Sequence, residues 1–197
     1  MKLNKMLTIE KSLTEKELIR GCLHGKAKAQ KELYDRFSPK MLGVCYRYVR
    51  DREEAEHVMI GGMVKVFEKI RQFNEKGSFE GWVRRIMVNE CLMYIRRNRS
   101  MSLEVEIEQA DREPDYRQME NRLESEDLMS LICQLPVGYR TVFNLYAIEG
   151  YNHAEIAEML GINENTSKSQ LSRARKLLQA NLLKLEKNDL KNIKHGN

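Results

Sequence analysis

The stretch HAEIAEMLGINENTSKSQLSRARKLL, residues 153–178, decides how this chain is read. Two helices that cross at a steep angle need a small residue where they touch and a break between them, and Ala157 and Gly161 supply these. Ile156, Leu160 and Ile162 give the first helix and the turn an apolar underside, and glycine at 161 tolerates the positive backbone angle that ends a helix. On a wheel of about 100° per residue, Ser167, Leu171, Ala174 and Leu178 of the second helix fall on one side. Asn165, Lys168, Ser169, Ser172, Arg173 and Lys176 gather on the other, and no acid occurs between residues 165 and 179. A solvated helix face usually mixes its charges. An acid-free stripe of donors and acceptors suits the major groove of duplex DNA, with Lys and Arg on guanine edges or phosphates and Asn and Gln on adenine. The plainer alternative is a surface helix with no DNA to read.

Working outward, 197 residues suit one or two compact domains, and 42% hydrophobic content suffices for their cores. Three prolines, few aromatics and abundant Leu, Glu, Lys, Arg and Met predict an all-α fold. The net charge of +5 understates the electrostatics, because charge is segregated along the chain. Residues 1–50 carry twelve Lys and Arg against five acids, whereas residues 102–127 carry three against ten. A basic body with an acidic middle suggests a polyanionic partner and a separate basic one. No apolar run reaches membrane-spanning length, and MKLNKMLTIEKS at the N-terminus lacks the apolar core of a secretory signal, so a cytoplasmic location without membrane insertion is expected. Cys22, Cys45, Cys91 and Cys133 form no CxxC pair, which favours buried reduced thiols over a disulfide framework or a metal site. No phosphate-cradling glycine loop and no set of nucleophile, base and orienting acid can be assembled, so neither an enzyme nor a cofactor is expected.

The chain divides into two helical blocks. After an N-terminal tail (1–12), the first block (13–99) starts where Ser12 or Thr14 precedes a Glu by three residues, and its helices are expected near 14–23, 26–50, 52–72 and 79–98. Residues 100–122, acidic and carrying Pro114, read as a flexible linker. The second block (123–187) has a helix ending near Leu135-Pro136, another over 139–148 that stops at Gly150, and then the pair already described; residues 188–197 form a tail. The architecture predicted is two small helical domains joined by a flexible acidic linker.

In the first block the informative piece is FNEKGSFEGWVRRIMVNECLMYIRRNR, residues 73–99. It joins a loop, the aromatics Phe73, Phe79, Trp82 and Tyr94, and five arginines against one acid after Trp82. Arg85, Asn89 and Arg96 share one helical face. Arginines that follow phosphates beside aromatic faces that accept unstacked bases are how single strands are held. Phe79, Trp82, Ile86 and Met93 also recur at helical spacing, which marks a core as readily as a stacking platform, so the arginine face is the stronger candidate.

Three segments carry a resemblance: ELYDRFSPKMLGVCYRYVRDREEAEHV, GSFEGWVRRIMVNECLMYIRR and LPVGYRTVFNLYAIEGYNHAEIAEMLGINENTSKSQLSRARKLL. In this order, across an acidic spacer, the chain resembles the extracytoplasmic-function (ECF) sigma factors of bacteria, in the style common among Bacteroidetes-type members. The resemblance implies binding to core RNA polymerase and to promoter DNA, with initiation of transcription as the outcome and an anti-sigma protein as a further partner to consider. It implies that the first block, sigma region 2, reads and opens the minus-ten element. Lys76, Ser78 and Phe79 would lie in the loop that captures a flipped base, and Arg85, Asn89 and Arg96 on the adjoining strand. The second block, sigma region 4, would read the duplex minus-thirty-five element through Asn165, Thr166, Lys168, Ser169, Gln170, Ser172, Arg173 and Lys176. The acidic linker would thread polymerase channels built for nucleic acid.

One segment departs from the family pattern. Where members carry a cluster resembling D-V-L-Q-E-G-F in the helix that docks on the polymerase clamp, this chain reads HVMIGGM, residues 57–63. His57, Ile60 and Gly61 replace an acid, an amide and an acid, which points to a weakened contact or to a shifted one that relies on Lys65 and Glu68. Two adjacent glycines inside a helix are also expected to loosen it, at roughly 1 kcal/mol each relative to alanine. Two other classes stay open beside the initiation factor: a sigma-like decoy that binds an anti-sigma protein, and a free-standing helix-turn-helix regulator.

Overall fold

The computed structural model describes residues 12–98 and 125–195, with side chains over 12–98 and 128–184; the expected acidic linker lies outside the described residues. α1 (Glu15–Leu23) opens on the capping box that its spacing predicts: the Thr14 hydroxyl accepts from the Glu17 N–H at 3.3 Å, and the Glu17 carboxylate accepts from the Thr14 N–H at 2.8 Å. α2 (Ala27–Val49) ends on Arg50 in the left-handed region, and the Asp51 carboxylate then caps α3 (Arg52–Lys69). A short 3₁₀ turn (Ile70–Gln72) and the loop at 73–78 lead to α4 (Phe79–Arg97), whose first turn is capped by Ser78. The second block holds α5 (Ser125–Gln134), α6 (Val137–Phe143), a π turn (Asn144–Ile148), α7 (His153–Leu160) and α8 (Glu164–His195). The described residues contain no strand.

α2, α3 and α4 pack on one another through Leu33, Phe37, Met41, Val44 and Tyr48 of α2, Met59, Met63 and Val66 of α3, and Val83, Met87 and Cys91 of α4, all buried. The adjacent glycines of α3 turn out to be unlike each other. A Cβ on Gly61 would meet open space, whereas one on Gly62 would stand 2.3 Å from the sulfur of Met87, whose buried side chain of α4 lies over Gly62 and would have to shift. The expectation that both glycines loosen the helix is corrected for Gly62, because close packing compensates for its missing side chain. The four cysteines are free and buried.

The second block has a small core of its own, in which Leu131, Ile132, Leu135 and Tyr139 meet Ala174 and Leu178. The core of the first block also runs on into Val142, Leu145, Ile156 and Leu171, so the two blocks are docked. Polar bonds fix that docking. Arg140, only 5% exposed, donates from Nη2 to the Tyr48 carbonyl at 3.1 Å and from Nη1 to the Leu135 and Cys133 carbonyls at 2.8 and 3.2 Å. One guanidinium thus joins the C-terminal ends of α2 and α5, where helix carbonyls lack partners and carry partial negative charge. Burial lowers the Arg140 pKa from its usual value. Asn144 adds a bond from Nδ2 to the Arg47 carbonyl at 3.0 Å.

Candidate nucleic-acid interface

The helix-turn-helix is built by local rules. Asn152 caps α7 by accepting from the Glu155 N–H at 2.9 Å, and the Asn152 N–H donates in turn to the Glu155 carboxylate at 2.8 Å. Gly161 ends α7 at φ +67°, and the Ile162 N–H closes on the Ala157 carbonyl at 3.1 Å, so the chain turns into α8. Ser167, Leu171, Ala174 and Leu178 are buried, the side of α8 that periodicity turns inward. Outward lie Asn165, Lys168, Ser169 and Ser172, exposed, with Arg173 and Lys176 half-buried. Lys168 pairs with Glu164 at 2.7 Å, and that ammonium holds the Glu164 carboxyl below the usual range. The Ser169 hydroxyl donates to the Thr166 carbonyl at 3.0 Å. Thr166 is half-buried, as Arg173 and Lys176 are, and one residue expected among the base readers sits differently: Gln170 is 8% exposed, on the inner flank of the helix.

In the first block the loop before α4 has a specific geometry. The Asn74 side chain accepts from the Lys76 N–H at 3.1 Å, Glu75 takes φ +58° and Gly77 φ +92°, and Ser78 Oγ accepts from the Gly81 N–H at 3.1 Å. Lys76 and Ser78 are exposed. Phe79, expected to meet a flipped base, is fully buried with its ring centroid 5.1 Å from Phe73, 5.6 Å from Phe37 and 5.7 Å from Trp82. That expectation is corrected: Phe79 anchors the loop from beneath, because four aromatic rings bury more apolar area together than a lone exposed ring would. Arg85 and Asn89 are exposed on α4, one turn apart. Arg96, exposed as well, donates to the Met159 carbonyl at the end of α7.

On α3, His57, Ile60 and Gly61 face outward, and Ile60 and Val64 are 43% and 51% exposed. Lys65 is half-buried and pairs with Glu90 of α4 at 2.6 Å. The ammonium therefore ties α3 to α4 in this structure.

The residues that sequence reading missed are those joining the blocks. The Glu149 side chain, 6% exposed, accepts from Arg84 Nε at 2.6 Å and Nη2 at 2.9 Å and from Arg47 Nη2 at 3.2 Å. This fork raises the Arg84 pKa. No periodicity marks an acid in one block and two arginines in another as partners, since they lie 65 and 102 positions apart.

The fold and these surfaces define a two-block helical protein with a helix-turn-helix in its second block and a loop and arginine face in its first. Residues 33–101 match the family model described as Sigma-70 region 2, and residues 125–178 match that described as Sigma-70, region 4. Together the two models take in more than half of the chain, which belongs to the sigma-70 family as a sigma factor of the ECF type. The chain is similar to the ECF RNA polymerase sigma factor SigE of Mycolicibacterium smegmatis, 30% identical over 159 residues, a match spanning 78% of this chain and 61% of that one. It is similar to the ECF RNA polymerase sigma-E factor of Haemophilus influenzae, 26% identical over 179 residues, spanning 85% of this chain and 94% of that one. Among solved structures it is similar to the sigma factor RpoE, in complex with the anti-sigma factor NepR, from Bartonella quintana, with a TM-score of 0.48, 23% identity, and 79% and 98% of the two chains covered. Among the described residues no helix is long and apolar enough to cross a membrane.

Proposed function

We propose that this chain directs core RNA polymerase to promoters from the cytoplasm and helps open them, acting as a Bacteroidetes-type ECF sigma factor without catalysing a reaction itself. Residues 123–187 read the duplex minus-thirty-five element through Asn165, Lys168, Ser169, Ser172, Arg173 and Lys176. Residues 13–99 hold the unpaired minus-ten strand through Lys76, Ser78, Arg85, Asn89 and Arg96. The observation that carries the reading is the outward stripe of α8, free of acids from 165 to 179 with Glu164 at its start paired to Lys168, on a fully buried underside, together with an exposed Arg85–Asn89 face on α4. Polymerase docks on the outward face of α3 around His57, Ile60 and Gly61, and an anti-sigma protein is the further partner.

A second reading has an observation in its favour. The outward face of α3 sets the exposed apolar side chains of Ile60 and Val64 between the exposed acids Glu56 and Glu68, and an apolar contact at its centre suits a decoy that engages an anti-sigma protein only. Mixing the purified chain with core polymerase and a promoter template separates the two: a stable complex and a run-off transcript are expected. A chain that binds an anti-sigma protein but yields neither complex nor transcript is the decoy.

A further inference from the structure

Cys45 of α2 and Cys91 of α4 meet inside the first block, where the two helices pack on one another. Both side chains are fully buried, and the Cys91 thiol is hydrogen-bonded to that of Cys45. The stretch of chain between them contains all of α3. The pair lies just beneath the seam between the blocks. Tyr48, one turn after Cys45, is fully buried, accepts from Arg140 of the second block at its carbonyl, and feels the charges of both Glu149 and Cys91. Val142 and Leu145 of the second block belong to the same apolar cluster as the two thiols. Arg47 links the two sites, since it pairs with Glu149 at 3.2 Å and its charge reaches Cys91. Among the described residues, three buried polar atoms at this seam, Arg47 Nε, the Tyr48 hydroxyl and Asn144 Oδ1, have no hydrogen-bond partner. Such atoms gain bonds when water reaches them, which favours opening along the seam.

While the blocks are docked the thiols stay unreactive. The bond to Cys45, and then burial, hold the Cys91 thiol well above its usual pKa, and only a thiolate is a good sulfur nucleophile. Parting the blocks changes both conditions. Water reaches the seam, and Arg47 loses the Glu149 carboxylate that neutralises it, so its charge favours the Cys91 thiolate. Glu90, the acid that opposes this effect, is paired with Lys65 at 2.6 Å. We propose that Cys45 and Cys91 are a redox site that a peroxide closes to a disulfide between α2 and α4 when the blocks part, and that docking of the blocks shields it. One thiolate attacks a peroxide oxygen and breaks the O–O bond, giving a sulfenic acid and a hydroxide. The second thiolate attacks that sulfur, the S–S bond forms and a second hydroxide leaves. The two thiol protons convert the hydroxides to water, so two thiols and one hydrogen peroxide yield one disulfide and two waters.

The test exposes the reduced full-length chain to hydrogen peroxide, with Cys22→Ala and Cys133→Ala in place so that only this pair of thiols remains. Unreacted thiols are blocked with iodoacetamide at intervals, and the bridge is read by non-reducing peptide mapping. A peptide joining Cys45 to Cys91, released by dithiothreitol, is expected. Glu149→Ala, which removes the ionic contact across the seam, is expected to speed its formation about tenfold, because the reactivity of a shielded group follows the population of the open form. Gly62→Ala disturbs the packing of α3 on Met87 and leaves the seam intact, so it is expected to speed the reaction less. Absence of the bridge from both the parent chain and Glu149→Ala overturns the redox site. Oxidation of both sulfurs to sulfinic acid without a bridge overturns it as well, since the peroxide would then reach sulfurs that do not reach each other. Equal rates in the parent chain and Glu149→Ala, or a rate in Gly62→Ala as fast as that in Glu149→Ala, overturn the shielding by the docked blocks.

Discussion

At the scale of single residues, the α8 stripe and the α4 face separate the side chains proposed to recognise DNA from those that support the fold. Arg173 lies on the outward side of α8, so Arg173→Ala is expected to weaken promoter-complex formation by about 1–3 kcal/mol, as loss of a bidentate base contact does, while affinity for core polymerase is unchanged. Equal loss of both affinities in the same binding assay counts against the assignment. Asn89 is exposed and Phe79 is not, although both lie in the segment that sequence reading singled out. Asn89→Ala is expected to reduce strand opening, seen as weaker permanganate reactivity of the melted strand, with thermal stability untouched. Phe79→Ala is expected to cost about 3–5 kcal/mol in denaturant unfolding, the range for truncating a fully buried aromatic. Helical spacing made both residues visible and could not say which faced a core, because the loop that folds Phe73 over Phe79 and Trp82 is a tertiary feature.

At the scale of elements, α3 carries both the adjacent glycines 61 and 62 and the exposed apolar pair Ile60 and Val64. Gly61→Ala is expected to stabilise the chain by about 1 kcal/mol, since the helix gains propensity and the new Cβ meets open space. Gly62→Ala is expected to destabilise it by about 1–3 kcal/mol, since the Cβ would overlap the buried Met87. Thermal melts of the two variants should therefore shift in opposite directions. The pair Ile60→Gln with Gly61→Glu restores an amide and an acid at exposed positions and is expected to tighten binding to core polymerase. Unchanged affinity in a competition assay would remove the reason for regarding this face as a weakened contact.

At the scale of the whole molecule, the docked blocks pose a geometric problem. Minus-ten and minus-thirty-five elements are separated by about 25 base pairs, roughly 85 Å of duplex at about 3.4 Å per step. A chain of this length packed as one body has a radius of gyration of roughly 16 Å, so it does not span that distance with its blocks together. Arg96 of the first block meanwhile bonds the carbonyl of Met159 beside the helix-turn-helix. On the proposed function the blocks would have to part before both elements are held, and fluorophores placed on α2 and α8 should then report a longer separation in the promoter complex than in the free chain. The Glu149 fork is the contact to remove first. Arg84→Ala and Glu149→Ala are expected to show a coupling of about 1.5 kcal/mol or more in a double-mutant cycle on unfolding, because the carboxylate is buried and doubly bonded. Additive effects of the two changes would mean that the fork does not hold the blocks together.

Local pattern alone determined most of the helices, the caps of α1, α4 and α7, and the outward stripes of α8 and α4 that we propose meet nucleic acid. Thr14 with Glu17, Gly161, and the alternation of Ser167, Leu171, Ala174 and Leu178 with the outward stripe are short-range relations that the chain cannot satisfy in another way. Only the tertiary structure decided that Phe79 and Gln170 turn inward, that Gly62 is a packing requirement while Gly61 is free, and that Arg140, Asn144 and Glu149 bind the blocks together. Each of those outcomes depends on which distant backbone or side chain arrives opposite a residue. Burial energies and charge pairing choose that partner across the folded molecule, and spacing along the chain carries no record of the choice.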